Sequence, residues 1–464
     1  MKMTKKMLPV VLLLVSVFAF SCGVAAEPVA VTPVTAVVNV DAQLGNTFLV
    51  APLTVKVAAD TAENYGYTDA VSPTASVSAL DVLVALHQYK YADFSKATAA
   101  DYLEVSDTGW VNKIWNGVKG SPCYTVNGKN DVNPVSGYSY LLNEAPVKNG
   151  DTVEFFQCLD AVNYADECAW FMQGTEKLNQ IRVEAGKEIE LTVKSYTFMW
   201  YSAAADLENY QNPAAGLKLA LWQDGKPVDL SDKDGKALTT DENGKVKVTF
   251  PAKGNYTVIA YNTDETKYFS LPILKVTVYT AVPYSAFKDL KQGAWYESYV
   301  SAVLEKGYLQ GTSADTFAPE MKLNRGMFAE ILYRVAGCPA VAVTNPFTDV
   351  TAKAYYYNAV NWANATGITN GVTTTSFAPD VAISREQMAV MIDRYLTVAG
   401  VAPAAIDKAE PFADDAEISD YAKDGVYRMV KAGILQGKGQ HKFCPRDTAT
   451  RAEIATVMAR LTAE

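Results

Sequence analysis

The feature that most constrains the fold of this 464-residue chain is an internal repeat in residues 284–464. Landmark residues of a first copy recur 60 positions later in a second copy, and a further 65 or 66 positions later in a third. The landmarks are Phe287/Phe347/Phe412, Asp289/Asp349/Asp414, Gly307/Gly367/Gly433, Gly311/Gly371/Gly437, Phe317/Phe377/Phe443, Pro319/Pro379/Pro445 and Arg325/Arg385/Arg451. Repetition of this kind indicates one small structural unit that needs its neighbours to bury its apolar face.

Each copy predicts two helices joined by a loop. In the second helix, apolar residues stand 3, 6, 7 and 10 positions after the landmark arginine in all three copies. Thr450 and Glu453 have the spacing of a capping box that starts such a helix. A single unit is too small to bury this stripe alone, so we expect one all-α bundle with a shared core. Its repeats span residues 284–340, 344–402 and 409–464.

The landmark arginine is unexpected at this place. It stands in the first turn of the second helix, where the helix dipole disfavours a cation by roughly 0.3–1 kcal/mol. Either it pairs with an acid of a neighbouring repeat, or it binds an anion together with the helix N-terminus. In the first copy, Gly326 weakens the helix start by about 0.5–1 kcal/mol, and Met327 replaces the capping acid. We therefore expect the weakest site there.

These landmarks resemble the S-layer homology domain, which usually occurs as three copies in bacterial surface proteins. The resemblance implies a pseudo-threefold helical bundle whose grooves bind an anionic secondary cell-wall polysaccharide, commonly pyruvylated, in the peptidoglycan-associated envelope. It implies that the arginines contact the carboxylate, the glycines allow close approach, the aspartates accept hydroxyl hydrogen bonds or hold the loop, and an aromatic ring packs on a sugar. The alternative for the glycines is that they only end the first helix. The residues are Arg325, Arg385, Arg451, Gly311, Gly371, Gly437, Asp289, Asp349, Asp414 and Trp295.

The N-terminus predicts export. Residues 1–26 combine three lysines, a short apolar run and the small residues Val24-Ala25-Ala26, as in a cleaved signal peptide. A lipid anchor at Cys22 is the rival interpretation. No later apolar run reaches the roughly 18–20 residues of a transmembrane helix, so we expect attachment to the cell through binding, at the cell wall or S-layer surface.

Charge and cysteine content exclude other classes of protein. The formal net charge is −10, which disfavours nucleic acid as a partner because a phosphate-binding surface needs clustered lysine and arginine. The five cysteines outside the signal contain no Cys-x-x-Cys pair, and we expect no metal site and no cofactor. Cys158 and Cys168 either form a disulfide or remain buried free thiols.

Residues 50–175 follow a predicted linker at 27–49 and predict an α+β domain. A strand "LTVKVAAD" precedes the helix "SALDVLVALHQYK", then "YTVNGK" and "NGDTVEF" predict further strands. The order resembles the β-grasp domain related to the C-terminal part of transcobalamin and intrinsic factor. The resemblance implies a corrinoid-like small molecule as one hypothesis and a protein- or glycan-binding module as the other.

Residues 180–280 predict an all-β module. Short alternating stretches are separated by hairpin signals at Asp224-Gly225 and Asn243-Gly244. The pattern resembles a bacterial immunoglobulin-like sandwich, and the resemblance implies a spacer or an adhesive unit.

Catalysis is not expected. His87 is predicted at the solvent-exposed edge of its helix and His441 in a loop of the third repeat, so a catalytic triad would have to bridge two domains. We therefore predict a multidomain, non-enzymatic surface protein that displays β-rich modules for adhesion, structure or ligand binding. Alternatives are a surface-held corrinoid-like binding protein and a wall-acting glycoside hydrolase, whose paired carboxylates cannot be recognised in sequence.

Overall fold

The computed structural model describes residues 34–44, 47–68, 70, 75–118, 121–127, 133, 136, 140–158, 166–174, 176–197, 212–263, 269–339, 341, 345–401 and 410–463. The predicted signal peptide at 1–26 and Cys22 lie outside these residues. Helices and several β-sheets build a multidomain chain with three main hydrophobic cores.

The first domain is a mixed sheet with a helix on one face. The sheet has the order β2-β1-β8-β6, in which β1 pairs parallel with β8 and antiparallel with β2. Helix α2 packs on it, and their apolar side chains form the core. The elements are β1 (Thr35–Leu44), β2 (Thr47–Ala58), α1 (Thr61–Asn64), β3 (Val77–Ser78), α2 (Ala79–Lys90), α3 (Ala99–Tyr102), β4 (Glu104–Val105), β5 (Val111–Lys113), β6 (Ser121–Val126), β7 (Pro146–Val147) and β8 (Thr152–Cys158).

Two boundaries of this domain differ from the prediction. Residues 35–44 of the predicted linker form β1, because the apolar residues of "TAVVNVDAQL" pack on α2. Residues 167–173, assigned by sequence to the 50–175 domain, pair instead with a strand of the next domain. Alternating stretches predict strands but not their partners, so these boundaries required the tertiary structure.

The second domain consists of two five-stranded sheets around one core. One sheet contains β9 (Glu167–Gln173), β10 (Glu176–Lys177), β12 (Glu188–Thr197), β13 (Asn212–Pro213) and β16 (Lys245–Thr249). The other contains β11 (Gln180–Glu184), β14 (Lys218–Gln223), β15 (Lys226–Asp229), β17 (Gly254–Tyr261) and β18 (Ile273–Tyr279). The predicted hairpin at Asp224-Gly225 is confirmed, since it joins β14 to β15, which pair antiparallel.

The state of Cys168 decides between the two predicted alternatives, a disulfide with Cys158 or a buried free thiol. Cys168 is a buried free thiol, so the Cys158–Cys168 disulfide is excluded, and Cys123 is disulfide-bonded. Cys168 lies on β9 among apolar and aromatic side chains, and burial raises the pKa of its thiol well above the ordinary value.

The three repeats form a helical bundle around one shared core. Their first helices are α4 (Glu297–Glu305), α6 (Tyr357–Ala365) and α8 (Asp420–Lys431), and their second helices are α5 (Arg325–Val335), α7 (Arg385–Val398) and α9 (Arg451–Leu461). Packing is cyclic, because α5 contacts α6, α7 contacts α8, and α9 contacts α4. The predicted stripe is buried at its first three positions, exemplified by Phe328, Ile331 and Leu332.

One arginine joins the second domain to the bundle. Arg182 of β11 donates from Nη2 to the Lys306 carbonyl at 2.7 Å and from Nη1 to the Arg334 carbonyl at 2.9 Å. These carbonyls end α4 and α5, where the helix dipole is negative and favours a cation. The guanidinium also lies 4.4 Å from the centroid of the Tyr308 ring, which fixes its orientation.

His87 is buried, contrary to the expected solvent-exposed position. Its ring stacks on Trp115 with centroids 4.1 Å apart. Nδ1 lies 2.9 Å from the Leu83 carbonyl, and Nε2 accepts the Trp115 N–H at 3.3 Å, which describes a neutral imidazole. Burial lowers the pKa of His87 to about 4.

This environment predicts a pH dependence of the first domain. The folded pKa of His87 is below the unfolded value of 6.5, so its stabilisation is complete above pH 6.5 and is lost as the pH falls towards 4. The loss amounts to roughly 3 kcal/mol at most, from about 1.4 kcal/mol per pKa unit. Urea unfolding, monitored through the hydrogen exchange of the α2 amides, measures this loss. His87→Phe should flatten this pH dependence and His441→Phe should leave it, and an unchanged dependence in His87→Phe would contradict the assignment.

Candidate functional site

The candidate sites lie where the second helix of each repeat begins. Each helix has an N-cap side chain that accepts the N–H of the third helical residue: Asn324, Ser384 and Thr450. The capping box of Thr450 and Glu453 is confirmed, with both reciprocal hydrogen bonds present. Three helix N-termini are thereby arranged at equivalent places in the bundle.

The first-turn N–H groups donate to the loop of another repeat. In the third repeat, the N–H of Arg451 donates to the Met321 carbonyl at 2.9 Å and that of Ala452 to the Pro319 carbonyl at 3.0 Å. The equivalent donors are Arg325 to Val381, Gly326 to Pro379, Arg385 to Asp447 and Glu386 to Pro445. Repeat one therefore binds repeat two, repeat two binds repeat three, and repeat three binds repeat one.

The arginine side chains follow the same cycle. Arg451 Nε donates to the Phe317 carbonyl at 2.7 Å, and its guanidinium lies 4.6 Å from the centroid of the Phe317 ring. Its Nη2 donates to the Gln310 carbonyl. The equivalent pairs are Arg325 with Phe377, and Arg385 with Phe443 and Gln436. These contacts account for an arginine at the disfavoured end of each helix, since it holds the next repeat.

Each guanidinium keeps unused donors. Among the described residues, Nη1 of all three arginines, and Nη2 of Arg325, have no hydrogen-bond partner, and no ion pair joins these arginines to a carboxylate. The three residues are 4–7% exposed, yet these nitrogens are not among the fully buried atoms that lack a partner. Burial lowers the pKa of all three, in Arg451 to about 10. A charged group with free donors therefore borders solvent at the start of each second helix. We call the surface around each of these arginines its groove.

The landmark aspartates hold the loops whose carbonyls the arginines use. Asp349 accepts the N–H of Phe377 at 2.9 Å and of Ala378 at 2.8 Å, and it also accepts the Ser376 hydroxyl. Asp289 and Asp414 bind their loops in the same way. The residue after Phe317, Phe377 and Phe443 has a positive φ in each repeat, which costs energy in a non-glycine residue, so these hydrogen bonds stabilise a strained turn.

The second landmark glycines are packed against protein atoms. A Cβ added to Gly311 would lie 2.3 Å from the Phe287 ring, and one added to Gly371 would lie 2.5 Å from the Phe347 ring. A Cβ on Gly437 would lie 2.8 Å from the Lys442 carbonyl. The first helices end four or more residues earlier, so these glycines allow the loop to close over the landmark phenylalanine. Their contact with a sugar stays a prediction.

An exposed aromatic residue stands at the start of each first helix. Trp295 is 60% exposed, as a ring that packs on a sugar must be, and its equivalents Tyr355 and Tyr421 are 60% and 59% exposed. Sequence analysis did not identify the two tyrosines, although the repeat spacing places them at the positions that correspond to Trp295. Tyr355 is near enough to Arg451, and Tyr421 to Arg325, to affect the arginine's pKa.

Gly326 has a packing reason that the sequence did not reveal. A Cβ at this position would lie 2.8 Å from the Tyr356 ring, so only glycine admits the tyrosine at the start of α5. The cost of glycine in the first turn is thus offset by a contact between repeats one and two.

In the part of the chain that the structure describes, no three His, Cys, Asp or Glu side chains are grouped so that they could hold a metal ion. His87 uses both ring nitrogens inside the first domain.

The arginine contacts predict a large effect on stability. Arg451→Ala should lower the unfolding free energy of the bundle by about 3 kcal/mol, because it removes two charge-assisted hydrogen bonds to loop carbonyls. Arg451→Lys should not restore it, since an ammonium lacks the planar donor pair. Denaturant unfolding measures both variants. The exposed Arg446 supplies the control Arg446→Ala, and equal effects of Arg446→Ala and Arg451→Ala would contradict the role of the contact.

The aspartate contacts predict a second effect. Asp349→Asn should lower the unfolding free energy by about 1–3 kcal/mol, because the amide nitrogen cannot accept a loop N–H. Burial alone would raise the pKa of Asp349, but hydrogen bonds from Phe377, Ser376 and Ala378 hold it below 3.8. The stabilisation is therefore present above pH 4 and lost in wild type as the pH falls further. Asp380 is exposed, so Asp380→Asn should change neither the unfolding free energy nor its pH dependence. Denaturant unfolding measures both.

Comparison with known proteins supports the assignment of the three repeats. The model of the S-layer homology domain matches residues 286–329, 346–389 and 411–455. An endoglucanase of Bacillus sp. (strain KSM-635) is 31% identical over 175 residues, which cover 38% of this chain and 18% of the relative. The surface-layer 125 kDa protein of Lysinibacillus sphaericus is 28% identical over 173 residues, covering 37% and 14%. This chain thus spans less than a fifth of either relative's length.

The solved structure of tandem Ig repeats of Dlar covers 34% of this chain and 82% of its own at 16% identity, but its TM-score of 0.15 supports no conclusion about the fold. Among the described residues, no helix is both long and apolar enough to cross a membrane.

The repeats, their spacing and the similarity to S-layer homology proteins lead to one conclusion. Residues 286–455 carry three S-layer homology repeats, and the protein is located at the bacterial cell wall or S-layer surface.

Proposed function

We propose that the three repeats anchor this protein non-covalently to an anionic, pyruvylated secondary cell-wall polysaccharide. The observation that carries the proposal is a buried arginine with unused N–H donors in each repeat. An exposed ring lies near two of them, Tyr355 near Arg451 and Tyr421 near Arg325. A guanidinium suits a carboxylate because its donors are planar and parallel, and an aromatic face suits a sugar ring.

The grooves differ in local charge, which predicts unequal occupancy. Arg325 and Arg451 are each influenced by one carboxylate, Asp349 and Asp289 respectively. Arg385 is influenced by three, which are Glu453, Asp447 and Asp414. Additional negative charge repels a carboxylate ligand, so the proposal places the anion first at Arg325 and Arg451. This order replaces the weak first groove that we expected from Gly326.

Three grooves on one scaffold also explain anchoring without a covalent bond. Once one groove is occupied, the others meet the polymer at a high effective concentration, so weak individual sites give strong retention. The cyclic contacts between the repeats keep the grooves in a fixed relation, which this gain requires.

The preceding domains are proposed as the displayed part. Their interpretation as a β-grasp-like domain and an immunoglobulin-like sandwich suggests adhesion, structure or ligand binding, without catalysis. Similarity to an endoglucanase covers 18% of that enzyme and brings no activity to this chain.

Corrinoid binding is the alternative function for the β-grasp-like domain. Native mass spectrometry of the full chain with a cobamide panel tests it.

The anchoring proposal predicts a binding defect without a folding defect. Changing Trp295, Tyr355 and Tyr421 together to alanine should reduce retention on isolated cell walls at least about tenfold, because each lost ring contact is worth roughly 0.5–1.5 kcal/mol. All three are exposed, so thermal unfolding should stay unchanged. Co-sedimentation with isolated walls measures retention.

Two controls sharpen this experiment. Tyr89, 52% exposed on α2, supplies Tyr89→Ala, which should bind as wild type does. Walls stripped of their polysaccharide should retain neither protein, and walls that lack only the pyruvyl groups should retain wild type weakly. Undiminished retention of the triple variant would refute the groove assignment.

A further inference from the structure

A cavity of about 470 Å³ lies where the first domain, the second domain and the helical bundle meet. Its size falls within the roughly 300–1,000 Å³ typical of small-molecule sites. None of its lining residues belongs to the polysaccharide grooves. Its lining includes Asp41 and Glu154 of the first domain, Lys177 and Lys275 of the second, and Tyr395 and Val398 of α7.

Two carboxylates stand side by side on the wall that the first domain provides. Asp41 of β1 and Glu154 of β8 are direct partners in parallel register, so both side chains point to the same face. Glu154 is 7% exposed, and its Oε2 accepts hydrogen bonds from Thr125, Trp170 and Lys177. Glu154 and Lys177 therefore form a neutral pair at one side of the cavity.

Asp41 and Lys275 have no such partner. Asp41 is 3% exposed; its Oδ1 accepts the Gln43 amide at 2.7 Å, whereas Oδ2 accepts nothing from the described residues. Lys275 donates to Thr257 at 3.0 Å, and among the described side chains no ion pair reaches it. Burial and then Glu154 raise the pKa of Asp41, and burial lowers the pKa of Lys275 to about 8.

We propose that this cavity binds a small neutral ligand rich in hydroxyl groups, of the size of a mono- or disaccharide. A hydroxyl donates to the free oxygen of Asp41 and accepts from the free N–H groups of Lys275, so one chemical group serves both ends. Asn39 adds an amide N–H, because its oxygen already accepts from Thr54. Two acids and two lysines line the cavity, so neither sign of charge predominates there, and a ligand with a net charge would bring an unpaired charge into a buried place.

The occupant would contact all three domains at once. The joint between the first two domains is specific, because the Gln43 side chain donates to the Leu271 carbonyl at 3.2 Å and accepts the Leu271 N–H at 2.6 Å. Ala336, Gly337 and Pro339 at the end of α5 complete the cavity. A bound sugar therefore couples the displayed domains to the anchor.

Isothermal titration calorimetry of the full chain with glucose, N-acetylglucosamine and maltose tests the proposal. At least one sugar should give a saturable 1:1 complex. Asp41→Asn and Lys275→Met keep the side-chain shape and should each weaken binding about tenfold or more, the factor of one charge-assisted hydrogen bond. Lys247, exposed on β16 outside the cavity, supplies the control Lys247→Met, which should bind as wild type.

Three results would overturn the proposal. The first is no saturation by any of the sugars up to the millimolar range. The second is equal binding by wild type, Asp41→Asn and Lys275→Met, which would assign the sugar to another place. The third is binding of glycine in place of the sugars, which would assign a zwitterion. Should a variant fail to fold, hydrogen exchange of wild type decides, because the sugar must slow exchange in both β1 and β18.

Discussion

A buried arginine that donates to a loop carbonyl of the next repeat is the interaction on which the helical bundle depends. It occurs three times, and the third occurrence, from Arg451 to Phe317, closes the cycle between the last repeat and the first. Each carbonyl is held in place by a landmark aspartate that accepts the N–H groups of the same residue and of the next one. A repeat array that closes on itself has no exposed terminal face, so it needs no capping unit.

The same guanidinium serves structure and, in our proposal, recognition. Desolvating a cation is costly, and hydrogen bonds to carbonyls offset that cost without neutralising the charge. A carboxylate in the partner's place would have satisfied the arginine and removed its attraction for an anion. Because the partners are carbonyls, positive charge remains at the groove surface, and at Arg325 and Arg451 it lies near an exposed tyrosine. The charge that surrounds each arginine then distinguishes three grooves whose backbones are equivalent.

The relation between displayed domains and anchor is set by a few polar contacts at their joints. Arg182 binds the ends of two helices of the bundle, and Gln43 binds the backbone of the second domain at Leu271. Polar joints of this kind fix orientation through geometry, because every donor and acceptor must meet its partner. The cavity that Asp41 and Lys275 line lies at the same joint, between these two domains and the bundle.

The sequence by itself determined the three repeats, their helices, the apolar stripe and the capping box, because these depend on local spacing and propensity. It also gave the places of the arginines, aspartates and Trp295. Only the tertiary structure decided that the arginines bind Phe317, Phe377 and Phe443 of other repeats, residues 52–134 positions away. It likewise decided that β1 begins before residue 50 and that Asp41 lies beside Glu154. Such contacts join distant segments, and the energy that selects them, burial and pairing of polar groups, exists only after the chain has packed.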